Sequence, residues 1–215
     1  MRAALSTAVS TALALAATAS VASAQIVTNG SFETPTAPAN AFTTLSGSQL
    51  TGWTVSQGNV DLIGPGFWQA AAGSQSLDLN GDAGAATIYQ DVALTLGGTY
   101  RLSFAMAGNT DGLPVVKTMT VGIGGIDFGT FSFNSAGRSP SAMGWETFTR
   151  DFTATGTTMR LTFASTTSGC CTGPALDAVS IAAVSSTVPE PGTYALLGTG
   201  LLGLAGVARR RRAQG

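Results

Sequence analysis

Carboxylates are the main chemical resource of this chain. Asp61, Asp78 and Asp82 crowd one stretch, and His is absent from all 215 residues. Without His there is no Ser-His-Asp or Cys-His nucleophile activation, and the usual zinc sites are gone. Acid–base chemistry would fall to carboxylates or to Lys117. A glycosidase needs two carboxylates opposed across a cleft, and no spacing singles out a pair. Asp177 alternates in phase with Val179 and Ile181, so on a strand it points the way buried residues do. A buried carboxylate needs a cation or several hydrogen-bond donors. Asp177 is therefore either a calcium ligand or a cap on backbone amides.

Two other features invite chemistry. Cys170 and Cys171 are adjacent, with no other cysteine to pair with. In an oxidising compartment they form a strained vicinal disulfide that stiffens a loop, or stay thiols, or bond between molecules. Phe67-Trp68 lies between Gly64-Pro65-Gly66 and the small-residue run Ala70 to Gly73. Such a pair is either an exposed platform for a sugar ring or a plug over one end of the fold. Trp53 and Trp145 stand beside glycines at strand starts and read as core.

The elements that must position these groups are strands. Tyr100, Leu102, Phe104 and Met106 alternate with Arg101, Ser103, Ala105 and Ala107, a period of two. Phe148 and Phe152 share one phase of another run, and Met159, Leu161 and Phe163 share one phase of the next. Further strands are expected at Ile26–Thr28, Trp53–Val55, Val60–Ile63, Gln75–Leu79, Thr87–Leu94, Val116–Ile123, Ile126–Phe133 and Leu176–Ala182. No stretch of the domain has capped helical periodicity. About ten short strands separated by turn residues predict an all-β, jelly-roll β-sandwich over residues 25–184. Only 10% of residues are charged while 44% are hydrophobic. That composition excludes a charged disordered chain and argues against nucleic-acid binding. Residues 25–188 hold five basic and ten acidic side chains, a net charge of −5.

The ends are addresses. Met1-Arg2, an apolar stretch and Ala22-Ser23-Ala24 make residues 1–24 a secretory signal peptide. Residues 185–191 form a linker ending in Pro189-Glu190-Pro191. Residues 192–208 are apolar and long enough for a short transmembrane helix. Residues 209–215 are a basic tail led by Arg209 to Arg212, cytoplasmic by the positive-inside rule. This tripartite order resembles the PEP-CTERM sorting signal. The resemblance implies an exported protein of a Gram-negative bacterium, anchored transiently in the inner membrane and cut by an exosortase near Pro189–Pro191.

A second resemblance covers most of residues 26–183. It rests on Asn29-Gly30-Ser31-Phe32-Glu33, Leu50-Thr51-Gly52-Trp53, Gly73-Ser74-Gln75-Ser76-Leu77-Asp78-Leu79, and Gly173-Pro174-Ala175-Leu176-Asp177-Ala178-Val179-Ser180-Ile181. Their order resembles the choice-of-anchor C family, and is similar to a plant cell-wall family of galactose-binding-like domains and to xylan- and glucan-binding modules. Ala178 departs from the pattern, where relatives often carry a second Asp. The resemblance implies a structural calcium held by Glu33 and Asp177. The first reading of function is a non-catalytic module at the cell surface or in the extracellular matrix that contacts exopolysaccharide or cell-wall glycan, with Phe67 and Trp68 as the candidate platform read from their loop position. A purely structural biofilm-matrix protein is the second reading and a small carboxylate-dependent glycosidase the third.

Overall fold

The computed structural model describes residues 25–184, with Gly198, Gly200, Leu201, Arg209 and Arg210 beyond them. The signal peptide, the linker with Pro189-Glu190-Pro191, and most of the expected membrane helix and basic tail lie outside the described residues. Between residues 25 and 184 every regular element is a strand and there is no helix. In chain order the strands are β1 (Phe42–Gly47), β2 (Thr54–Ile63), β3 (Ser76–Asp78), β4 (Asn80–Gly81), β5 (Gly84–Ala85) and β6 (Thr87–Ala93). They continue with β7 (Thr99–Gly108), β8 (Val116–Ile123), β9 (Ile126–Asn134), β10 (Glu146–Thr153), β11 (Thr158–Ser165) and β12 (Pro174–Ala183).

One antiparallel path runs β10-β7-β12-β3-β2-β6-β11-β8-β9, and β1 adds to β2. The path folds back on itself, so that β7 meets β8 and β9 across the core. Strand β2 is the corner. Its first residues, Thr54 to Gln57, pair with β6 in one layer, and Asp61 to Ile63 pair with β3 in the other. The turn between layers falls at Gly58, which has φ +63 and lies against the Ala85 carbonyl, so close that a Cβ would sit 2.7 Å from that oxygen. Glycine is the residue that tolerates both. The sequence reads as two short strands here, and the structure joins them through that corner.

The alternating runs supply the core. Phe104 is fully buried and packs edge-on to Phe131 and Phe163 while stacking on Phe148. Ile26–Thr28, by contrast, is not a strand. The side-chain amide of Gln90 stands in for a neighbouring strand: its Oε1 accepts from the Thr28 amide and its Nε2 donates to the Thr28 carbonyl. A ladder is then unnecessary for a backbone whose polar groups are already paired. Strand β1 escapes the hydrophobic pattern because it lies off the main path with only Leu45 buried.

Replacing Phe104 by Ala removes a ring from the packed centre. The expected cost is about 3–5 kcal/mol, a fall in melting temperature on the order of 10 °C. Leu113→Ala, at a site 80% exposed, should change it by less than about 2 °C. Thermal melts of both variants check the assignment of the core.

Candidate functional site

Strand register places a row of residues across one layer. Thr44 on β1 pairs with Asp61 on β2, Asp61 with Asp78 on β3, Asp78 with Ala175 on β12, and Ala175 with Ala107 on β7. The neighbouring row, Leu62, Leu77, Leu176 and Met106, is fully buried in the hydrophobic core. Successive side chains on a strand point to opposite faces, so Asp61 and Asp78 point away from that core. They are nevertheless buried, because loops close over this face.

The loops leave a pocket of about 130 Å³ whose walls include Asp61, Asp78, Asp82, Asp111 and Asn109, with Phe42 and Phe67. The two phenyl rings meet edge to face at 5.6 Å. Asp61 accepts from the Thr44 hydroxyl at 2.6 Å, its one side-chain hydrogen bond among the described residues. Burial raises its pKa, the Thr44 bond opposes this, and the Asp82 charge adds to it. Asp78 is more deeply held. Its Oδ1 accepts from the amides of Asn80 and Gly173, and its Oδ2 from Asn109 Nδ2. Burial still pushes its pKa up to about 6, against those three hydrogen bonds. Gly173 is needed because a Cβ there would lie 2.6 Å from the Asp78 carboxylate.

Lys117 supports the pocket from behind. Its side chain is fully buried and its Nζ donates to the carbonyls of Gly112 and Thr172, at 2.9 and 2.7 Å. It thereby ties the loop that carries Asn109 and Asp111 to the loop that carries Cys171. Burial lowers its pKa, while the charges of Asp78 and Asp111 raise it. Cys170 and Cys171 are exposed thiols. Cys171 also lines the pocket, with φ +71. Its hydrogen bond with the Cys170 thiol pushes its pKa up to about 11.

Glu33 and Asp177 do come together, at a second place. The Asn29 to Glu33 segment docks into an irregularity of β12 between Asp177 and Ser180, where the Val179 amide donates to the Gly30 carbonyl. A Cβ on Gly30 would lie 1.9 Å from the Val179 oxygen, which explains the glycine of that motif. Ala178 has φ +51 there, a conformation that Asp and Asn adopt more readily than Ala. Asp177 accepts from the amides of Ala71, Ala72 and Ala178. Glu33 accepts from the Ser74 amide and hydroxyl and from the Gln75 amide. Burial raises Asp177 to about 6, partly offset by the three amides, and the Glu33 charge adds to the rise. Amide donors thus answer the burial of Asp177. Among the described residues no group of three or more acidic, Cys or His side chains is arranged to hold a metal.

The aromatic expectations need correction. Trp68 is no platform: it is 5% exposed and its Nε1 donates to Ser76 Oγ at 2.6 Å. It plugs the outer face of the sheet, and Phe67, half-buried against it, reaches the pocket. Trp53 is core, as its glycine neighbours suggest, with Nε1 donating to the Asn29 carbonyl. Trp145 is only half-buried and edges an open groove. Asn109, Asp111, Phe42 and Thr44 carry no local signal that marks them as site residues.

The shifted carboxylates give the fold a pH signature. Asp61, Asp78 and Asp177 bind protons more readily when folded than when unfolded, where the ordinary value is 3.8. Their contribution to stability is full below about pH 4 and lost as pH rises through the folded value. The melting temperature should therefore fall between about pH 5 and pH 7, and Asp78→Asn should lessen that fall while Asp61 and Asp177 keep the rest. Asp91 and Asp151 run oppositely, held low by hydrogen bonds from Arg160 and Arg101. Their contribution is lost only on the acid side of about pH 4, outside that window. Melting curves across this range check the sign.

The chain is similar to several known proteins. Halomucin of Haloquadratum walsbyi (strain DSM 16790 / HBSQ001) is 30% identical over 169 residues, which are 76% of this chain and 2% of that protein. The chain therefore spans about a fiftieth of the length of this curated relative. Among solved structures it is similar to TmCBM61 in complex with beta-1,4-galactotriose, with a TM-score of 0.49 at 14% identity over 75% of this chain and 100% of that one. It is also similar to a family 35 carbohydrate binding module from Clostridium thermocellum, with a TM-score of 0.45 at 14% identity over 67% and 99%. Residues 187–212 match the PEP-CTERM protein-sorting motif. Residues 25–182 match the family described as protein of unknown function (DUF642), and the chain belongs to that family.

Proposed function

We propose that residues 25–184 are a non-catalytic glycan-contact module of a protein exported and processed through its PEP-CTERM signal. The observation that carries this reading is the Asp61–Asp78 pocket. A sugar presents hydroxyl donors around its rim and an apolar C–H face. The pocket offers carboxylate and amide acceptors beside two phenyl rings, and that is the mix of apolar walls and a few fixed polar groups that small ligands need. The PEP-CTERM match over residues 187–212 supports exosortase as a partner and the cell surface or extracellular matrix as the destination.

Several features favour binding over hydrolysis. Asp61 and Asp78 are cross-strand neighbours on one sheet, not groups opposed across a cleft. Asp78 is spent on three internal hydrogen bonds. A pocket of about 130 Å³ is below the roughly 300 Å³ at which ordinary ligand sites begin, which suits one sugar unit rather than a bond flanked on both sides. A purely structural matrix protein would retain no glycan.

Affinity electrophoresis of the full chain in gels containing neutral polysaccharides tests the module. Retardation is expected, with no release of reducing ends. Phe67→Ala or Asp61→Ala should weaken binding about tenfold or more, the loss of roughly 1.4 kcal/mol or more. Unchanged retardation in both variants would remove the pocket from the account.

Calcium at Glu33 and Asp177 is a second proposal. It is supported by the like-charge repulsion between the two carboxylates, which a divalent cation would relieve. Amide and hydroxyl donors already take three of the roughly four acceptor positions on each carboxylate, so carbonyl oxygens would have to complete the shell. Calcium at a hundredfold excess over its Kd should stabilise by about 2.7 kcal/mol. Chelation should lower the melting temperature, and Asp177→Ala should abolish the difference. Equal melting of the wild type in calcium and in chelator would leave the carboxylates as amide caps alone.

A further inference from the structure

The pocket is not the end of the open surface beside it. Phe67, which forms part of its wall, also lines a shallow depression of about 420 Å³ together with Gly66, Trp68, Gln69, Pro140 and Ser141. Gln69 in turn lines a third depression, also of about 420 Å³, bounded by Ala71, Ala105, Gly144, Trp145 and Ala178. The three follow one another along the segment from Gly66 to Ala71. Hydrogen bonds pin that segment against the loop that ends at Trp145: the Gln69 amide donates to the Pro140 carbonyl, and Trp145 Nε1 donates to the Gln69 carbonyl, both at 2.7 Å. From Phe67 to Ala71 the backbone can reach at most about 14 Å, which limits the track to a few sugar rings.

The two ends of this track differ in chemistry. At one end Asp61, Asp78, Asp82 and Asp111 gather four carboxyl groups. Residues 25–188 carry a net charge of −5. A uronate or sulfated polymer would meet like charge at close range, which costs free energy. At the other end the half-buried Trp145 indole is held in one orientation by its bond to Gln69. Beside it Ala71, Ala105, Gly144 and Ala178 leave a low ledge with no bulky side chain. A ledge beside an indole suits a planar, apolar ring face.

We propose that the module grips an extended stretch of uncharged polysaccharide along residues 66–71. One sugar enters the Asp61 pocket, and a later sugar of the same chain lies against Trp145. This rests on the glycan reading of the pocket and adds chain length and charge to it. Trp145 is then a specificity-determining residue for length, acting at a distance from Phe67.

The test is titration calorimetry on the full chain with neutral cello-, xylo-, manno- and β-1,4-galacto-oligosaccharides of one to six units, beside oligogalacturonates of the same lengths. At least one neutral series should gain tenfold or more in affinity between two and five units, and the oligogalacturonates should bind more weakly at every length. Trp145→Ala should hold the longer oligomers to the disaccharide's affinity and leave the disaccharide unchanged. Trp145→Phe, which keeps a ring, should retain most of the gain and guards against misfolding. Phe67→Ala should weaken short and long oligomers alike. Affinity independent of length, a Trp145→Ala variant equal to wild type on long oligomers, or preference for oligogalacturonates would overturn the track and leave the pocket standing. If no neutral series binds at any length, the pocket reading itself fails, and the track with it.

Discussion

Burying the Asp78 carboxylate obliges three segments to converge on it. The chain leaving β3 supplies the Asn80 amide, the approach to β12 supplies the Gly173 amide, and the segment after β7 supplies the Asn109 side chain. None of these contacts is local except the first. A buried carboxylate without donors would cost several kcal/mol, so the loops are held wherever those donors must be. The pocket above Asp78 is the space left between them. Its shape is a consequence of satisfying one buried charge.

Lys117 makes the arrangement tighter. Its ammonium joins the loop carbonyls of Gly112 and Thr172, while its charge acts favourably on Asp78 and Asp111. The site is therefore braced through both layers: a cation from β8 in one, a carboxylate from β3 in the other. The cost appears as raised carboxylate pKa values at Asp61 and Asp78. At neutral pH the fold carries charges that it would hold more easily protonated. Functional sites are where such strain accumulates, and the rest of the sandwich, with its Phe104 cluster, must offset it.

The sequence makes the architecture legible because β8 and β11 alternate along their whole length, and β7 and β12 over one half, the other half being buried on both faces. It hides β1, whose edge position leaves the pattern polar, and it overstates Ile26–Thr28, where a glutamine side chain does the work of a strand. The Glu33–Asp177 meeting is implied by the family resemblance, and the structure adds that Gly30 passes close to Val179 there. The pocket is not. Asp61 and Asp78 are 17 positions apart in sequence and become neighbours only through the register of β2 on β3. Asn109 and Asp111 join them from beyond β7. For a similar reason Trp68 takes the plug role of its two expected ones, and Trp145 is less buried than a core residue. Burial depends on which loop lies over which sheet face, and local composition does not encode that.

The proposed function rests on a sugar entering the Asp61–Asp78 pocket. A crystal structure of the protein soaked with neutral oligosaccharides tests it most directly. A sugar ring is expected against Phe67 with a hydroxyl on the Asp61 carboxylate, and its neighbours running toward Trp145. Ordered sugar on another face of the sandwich, with this pocket holding only water, would contradict it.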